Sequence, residues 1–157
     1  MCNKLINDMG TVSKNFDYRE FEKTDVPGMQ VKNTITSTEV RDSIKALVDE
    51  VVQPLRDAWD APLAINSGYR CPEVNKAVGG VPTSQHTKGE AADVCPFGRN
   101  GQGDIEVVRK LAITARDLGL PFDQMILYPS FVHFSRRLHG PQRGQILYSR
   151  KYTGKKI

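Results

Sequence analysis

Residues Ser67 to Asp93 read SGYRCPEVNKAVGGVPTSQHTKGEAAD, and this stretch decides the fold. Gly68, Pro72, Gly79, Gly80 and Pro82 break regular structure and keep most of it loop, with a short helix around Pro72 to Ala77. It lacks the apolar content of a core element, so its arginine, histidine, serines and carboxylates serve a site. Just before it, Leu63, Ala64 and Ile65 read as a strand; at its end, Ala91, Ala92, Val94 and Cys95 around Asp93 read as a second. A metal or substrate group held on that second strand would be held firmly.

Working outward, Thr36 and Glu39 fit a capping box, and Val40, Ile44, Leu47, Val48, Val51, Val52 and Leu55 recur at helical spacing. The pattern predicts an amphipathic helix over residues 38–58, kinked or shortened near its end by Pro54. Asp104 is an N-cap for a second helix with Ile105, Val108, Leu111, Ala112 and Ala115 inward, ended by Gly119 and Pro121. Met125 to Leu127, a turn at Pro129 and Ser130, and the alternation from Phe131 to Ser135 predict a hairpin. Gln145 to Tyr148 add an edge strand, after which a basic tail frays. The fold class is therefore α+β: a small, mainly antiparallel sheet with two main helices on one side. Residues 1–35 are expected as an arm laying Phe16, Tyr18 and Phe21 on the domain, residues 36–149 as the domain and residues 150–157 as the tail.

A chain of 157 residues suits one such domain without disulfide support, and we expect a monomer. No run approaches the roughly 20 apolar residues of a spanning helix, and the start has no apolar signal region. The expectation is synthesis in the cytoplasm, with any action at the cell wall following release. Cys2, Cys71 and Cys95 show no CxxC spacing, so Cys71 and Cys95 are expected as reduced packing residues. The net charge of +4 owes much to Arg136, Arg137, Arg143, Arg150, Lys151, Lys155 and Lys156 near the end. That charge suits an anionic polymer, but no aromatic-basic interleaving points to nucleic acid.

The histidines are His86, His133 and His139. His86 in the loop and Asp93 on the strand can face one point, and a histidine from the later hairpin completes a three-donor zinc set. A catalytic zinc takes such donors at about 2.0–2.2 Å with a fourth position open. His133, on a strand between apolar neighbours, is a better third ligand than His139 in a loop. The spacing H-x6-D has little specificity of its own, and a lone histidine is more often a surface or hydrogen-bonded residue. Glu90 is either a competing ligand or a solvated side chain.

SGYRCPEVNKAVGG, SQHTKGEAADV and FDQMILYPSFVHFS, in that order, strongly resemble the zinc D-alanyl-D-alanine carboxypeptidases of the M15 peptidases, especially short bacterial and phage members. The resemblance runs from about Phe16 to Tyr148 and implies the zinc peptidase fold of that group, which Hedgehog-like domains share. It implies one zinc ion held by His86, Asp93 and His133, and a peptidoglycan stem peptide as partner. The resemblance also implies Arg70 as the substrate-facing arginine and, less firmly, substrate hydrogen bonds from Ser84 and Gln85. The alternatives are an arginine that only ties the loop to a carboxylate and a serine that only shapes the loop.

The departure from the pattern concerns the general base. Many members carry a carboxylate three residues before the second histidine, where this chain has Ser130. Asp123 is the nearest acid and is expected as the catalytic base, or else as a turn cap or a partner of Arg70. Glu90 is the reserve. The implied function is zinc-dependent hydrolysis of peptidoglycan peptide bonds, as a carboxypeptidase or an endopeptidase of phage lytic type. The alternative is a catalytically weak or inactive cell-wall binding module of the same fold.

Overall fold

The computed structural model describes residues 10–157; Cys2 and the start of the expected arm lie outside them. A two-stranded ribbon, β1 (Thr11–Ser13) and β2 (Phe16–Asp17), leads into the short helix α1 (Tyr18–Glu22). Asp17 caps α1 by accepting from the Arg19 N–H at 2.8 Å while Glu20 accepts from the Asp17 N–H at 2.8 Å. Phe16 and Phe21 are buried, and Tyr18 lies under the Arg41 guanidinium. The segment from Glu22 to Asn33 then reaches the polar stretch. Asn33, fully buried, donates to Glu22 O and Tyr69 O and accepts from the Cys71 N–H at 2.7 Å. The arm thus fixes the backbone on which Arg70 stands.

The expected long helix is a rod in three parts: α2 (Thr38–Leu47), a π-turn over Val48–Val52, and α3 (Gln53–Trp59). Its cap is Ser37, not Thr36, because the Ser37 hydroxyl is the one that accepts from the Val40 N–H. Pro54 has no N–H to give, and the wider π-turn just before it, closed by Gln53 N–H to Val48 O, absorbs the break. Ile44, Leu47, Val48, Val51, Val52 and Leu55 are fully buried, as the periodicity predicts. After α4 (Pro72–Ala77), the helix α5 (Ile105–Asp117) is capped by Asp104, whose carboxylate accepts from the Glu106 N–H at 2.9 Å. It buries Val108, Leu111, Ala112 and Ala115 and packs on α3.

The sheet contains β3 (Ala64–Ser67), β4 (Ala91–Cys95), β5 (Gln124–Leu127), β6 (Val132–Ser135) and β7 (Gln145–Tyr148) in the order β3-β4-β6-β5-β7. All pairs are antiparallel except β5 with β7. Alternation separates the two faces. Ile65, Ala92, Val94, Met125, Leu127, Val132 and Phe134 join the helices in one apolar core. Asp93, His133, Ile126 and Gln124 fall on the other face, which is the floor of a cleft. The fold is α+β, with a mixed sheet that is mainly antiparallel.

One detail departs from the expected outline. The tail does not fray: the Ile157 N–H donates to the Tyr148 hydroxyl at 2.8 Å, and Lys156 lies over the Tyr148 ring. Cys71 and Cys95 are buried and unpaired; the Cys95 thiol contacts Ser130 O at 3.3 Å. No helix among the described residues is long and apolar enough to cross a membrane.

Candidate metal centre

Register builds the centre. Asp93 is opposite His133 across β4 and β6, and opposite Ser67 across β3 and β4. The β3 register shifts between Ile65 and Ser67, which brings Ser67 into line with Asp93 on the cleft side. His86 arrives from above on a 3-10 turn (Gln85–Lys88). Ser84 caps that turn: its hydroxyl accepts from the His86 N–H at 3.3 Å, and its carbonyl accepts from the Thr87 hydroxyl at 2.6 Å. Gly89 closes it at φ 74, where a Cβ would come within 2.7 Å of Val40 O, so the turn sits directly on α2.

The donor atoms of His86, Asp93 and His133 lie within 4.8 Å of one another. Asp93 Oδ1 is 2.9 Å from His133 Nδ1 and 3.3 Å from His86 Nε2, and the imidazole centroids are 5.0 Å apart. His86 Nδ1 lies 2.7 Å from Gly68 O. A proton on Nδ1 given to that carbonyl leaves Nε2 with its lone pair toward Asp93, the orientation a metal-binding histidine needs. Gly68 itself is dictated by packing, since a Cβ there would come within 2.7 Å of the Phe21 Cα.

Electrostatics point the same way. Burial works against the Asp93 charge, yet the two imidazoles more than offset it and hold the carboxyl well below the usual carboxylate range. Burial pushes His86 down, against the opposing pull of Asp93. A carboxylate and a neutral imidazole are the protonation states in which these residues bind metal. Two imidazoles and one carboxylate, with Arg70 reaching only the outer oxygen Oδ2 of Asp93, fit a zinc ion with a fourth position open.

Arg70 lines the cleft but is largely engaged by the protein. Its Nε donates to Ser67 Oγ at 3.0 Å, Nη1 to Asn75 Oδ1 at 3.4 Å, and Nη2 lies 3.6 Å from Asp93 Oδ2. One N–H on each terminal nitrogen remains for a ligand. Ser84 and Gln85 also line the cleft, as do Glu90, Tyr128, Arg137, His139 and Arg143.

Asp123 has surroundings unlike those of a general base. It has no exposed surface, and it pairs with neither Arg70 nor a turn of its own. Arg143 donates to it from Nε at 3.0 Å, from Nη2 at 2.7 Å and from its backbone N–H at 2.9 Å, and Gln85 Nε2 adds a bond at 3.2 Å. The Arg143 hydrogen bonds, working against burial, lower its pKa to about 2. Such a carboxylate takes up a proton poorly at neutral pH. Sequence reasoning missed Arg143 because it counted that residue with the basic tail. The signal was the edge strand: parallel pairing of Gln145 with Gln124 brings residue 143 beside residue 123.

A paired His/Asp/His donor set on the floor of an open cleft is the arrangement of a metallopeptidase. The family model for peptidase M15 matches residues 14–135, and the chain belongs to that family. It is accordingly a peptidase, in a family whose enzymes are zinc-dependent. No curated protein matches the chain.

Proposed function

We propose that the protein hydrolyses peptide bonds in peptidoglycan stems or cross-links with one zinc ion, and acts at the cell wall after release from the cytoplasm. The observation that carries this reading is the convergence of His86, Asp93 and His133 in a cleft of about 1100 Å³, room for several residues of a peptide. The family membership supports the reaction, and the motif resemblance supports the substrate class.

His86 Nε2, Asp93 and His133 Nδ1 would hold the metal; Gly68 O orients the first imidazole, and Arg70 orients the carboxylate. When bound, zinc supplies a Lewis acid that polarises the scissile carbonyl and makes water a nucleophile near neutral pH. The remaining need is a proton acceptor, and we assign that role to Glu90. Outside the metal set, Glu39 and Glu90 are the carboxylates lining the cleft among the described residues. Glu39 sits exposed on the outer turn of α2, whereas Glu90 joins the turn that carries His86 to β4. Glu90 Oε2 accepts from the Leu138 N–H at 2.8 Å, which steadies the group and leaves Oε1 to receive a proton. The spare Arg70 donors supply charge for an oxyanion or a peptide carboxylate.

The test is incubation of zinc-loaded protein with purified peptidoglycan, alongside a chelator control. New amino groups or free D-alanine, absent with chelator, are expected. A second reading, a wall-binding module with little turnover, is favoured by Ser130 where many relatives carry an acid. Metal-dependent sedimentation with peptidoglycan and no released amino groups would select it.

A further inference from the structure

We propose that Arg137 and Arg143 form a carboxylate-binding subsite on the wall of the same cleft, taking a free carboxylate of the peptide substrate. The proposal rests on the peptidase reading for its ligand, not for its geometry. A buried carboxylate needs one guanidinium to neutralise it, and Arg143 alone gives Asp123 two side-chain bonds and one from its backbone. Yet a second guanidinium, that of Arg137, stands 3.4 Å from Asp123 Oδ2. Two positive charges against one negative leave an excess of one, and both arginines line the cleft with Asp93 and His133.

The spare donors face a ligand without cost to the protein. Arg143 uses Nε and Nη2 on Asp123, leaving Nη1 whole; Arg137 approaches Asp123 through Nε, leaving both terminal nitrogens. Among the described residues no other carboxylate lies within 4.0 Å of either side chain. The side chains are 37% and 40% exposed, so those donors are open to solvent and accessible to a carboxylate. The frame is rigid as well: the Arg137 N–H donates to Gln142 Oε1 at 2.8 Å, and its carbonyl accepts from Gln142 Nε2 at 3.0 Å. A pre-set guanidinium pair suits the planar, bidentate recognition of a carboxylate. Arg70, with all three of its nitrogens already engaged, has less to offer a ligand.

In a stem peptide the free carboxylates are that of the terminal D-alanine and the α-carboxylate of the γ-linked glutamate. The probe is a fluorescein-labelled stem pentapeptide, compared with its C-terminal amide and with its isoglutamine form, titrated against metal-free protein by fluorescence anisotropy. Wild-type protein is expected to bind the free acid about tenfold more tightly than one of the two amides, which identifies the carboxylate read. Arg137→Gln, which leaves Arg143 to neutralise Asp123, is expected to lose that discrimination, and Arg137→Lys to keep part of it. Absence of binding, equal affinities for all three peptides, or discrimination undiminished in Arg137→Gln overturns the subsite. Hydrolysis by zinc-loaded protein is read separately on the same peptides. Carboxylate-dependent binding without hydrolysis sinks the peptidase substrate assignment and leaves the subsite standing, whereas hydrolysis indifferent to amidation does the reverse.

Discussion

Asp93 and His133 face one another across neighbouring antiparallel strands, with Asp93 Oδ1 2.9 Å from His133 Nδ1. The pairing register, not a loop, therefore sets two of the three proposed ligands, and a sheet resists the small displacements that weaken metal binding. His139 lines the same cleft but lies exposed beyond the end of β6, outside that register.

The first expectation follows from this contrast. His133→Ala loses bound zinc after dialysis, while His139→Ala retains about one equivalent, because one histidine on the donor set cannot be replaced by another at the cleft rim. Metal analysis by atomic absorption checks it. Equal retention in the two variants would remove His133 from the ligand set.

Glu90 and Asp123 separate chemistry from architecture. Glu90→Gln keeps the hydrogen-bond acceptor for Leu138 but not the basic oxygen, so zinc content stays at the wild-type level while kcat falls by about 10²–10⁴-fold. Asp123→Asn leaves the Arg143 and Arg137 charges facing a neutral partner, and its main effect is a lower Tm. Parallel thermal melts and rate measurements distinguish them; a Glu90→Gln variant with undiminished kcat would return the base to another group.

Much of this architecture is legible in the sequence alone. The alternation in β6 and the breakers around His86 follow from side-chain volume and backbone preference, which are local properties of a sequence. The segment Ala91–Cys95 was legible as a strand, although all five of its residues are buried and simple alternation fades there. The π-turn before Pro54 was not legible beyond an expected kink, since how a helix absorbs a proline depends on packing around it. Nor was the Asp123–Arg143 pair, because a parallel contact between β5 and β7 joins residues twenty apart through a loop with no periodic signal. Long-range ion pairs leave no spacing rule in the chain.

That pair carries a pH dependence of definite sign. Asp123 ionises at about 2 in the folded protein, below the 3.8 of an unperturbed aspartate, so folding favours its charged form. The stabilisation is fully present above the unfolded value and is lost as pH falls through about 2. Acid titration of Tm between about pH 5 and pH 2 should show wild type losing more stability than Asp123→Asn, so the two curves converge at the acid end. Parallel curves would mean that Asp123 is not ionised through Arg143 in the folded state.

Gly68 tests whether the arm and the metal centre are one mechanical unit. Its missing side chain lets Phe21 pack against the loop, and its carbonyl holds His86 Nδ1 at 2.7 Å. In Gly68→Ala the new Cβ must displace the Phe21 backbone or the loop, a cost of about 1–3 kcal/mol by the measure of overpacked cores. The Tyr69 N–H donates to Phe21 O at 2.6 Å, so the loop and Phe21 move together; the Gly68 carbonyl shifts, His86 loses the bond that sets its tautomer, and zinc affinity falls by about 10–100-fold. Chemical denaturation and competitive zinc titration read the two quantities, and a Gly68→Ala protein with reduced stability but wild-type zinc affinity would uncouple the arm from the site.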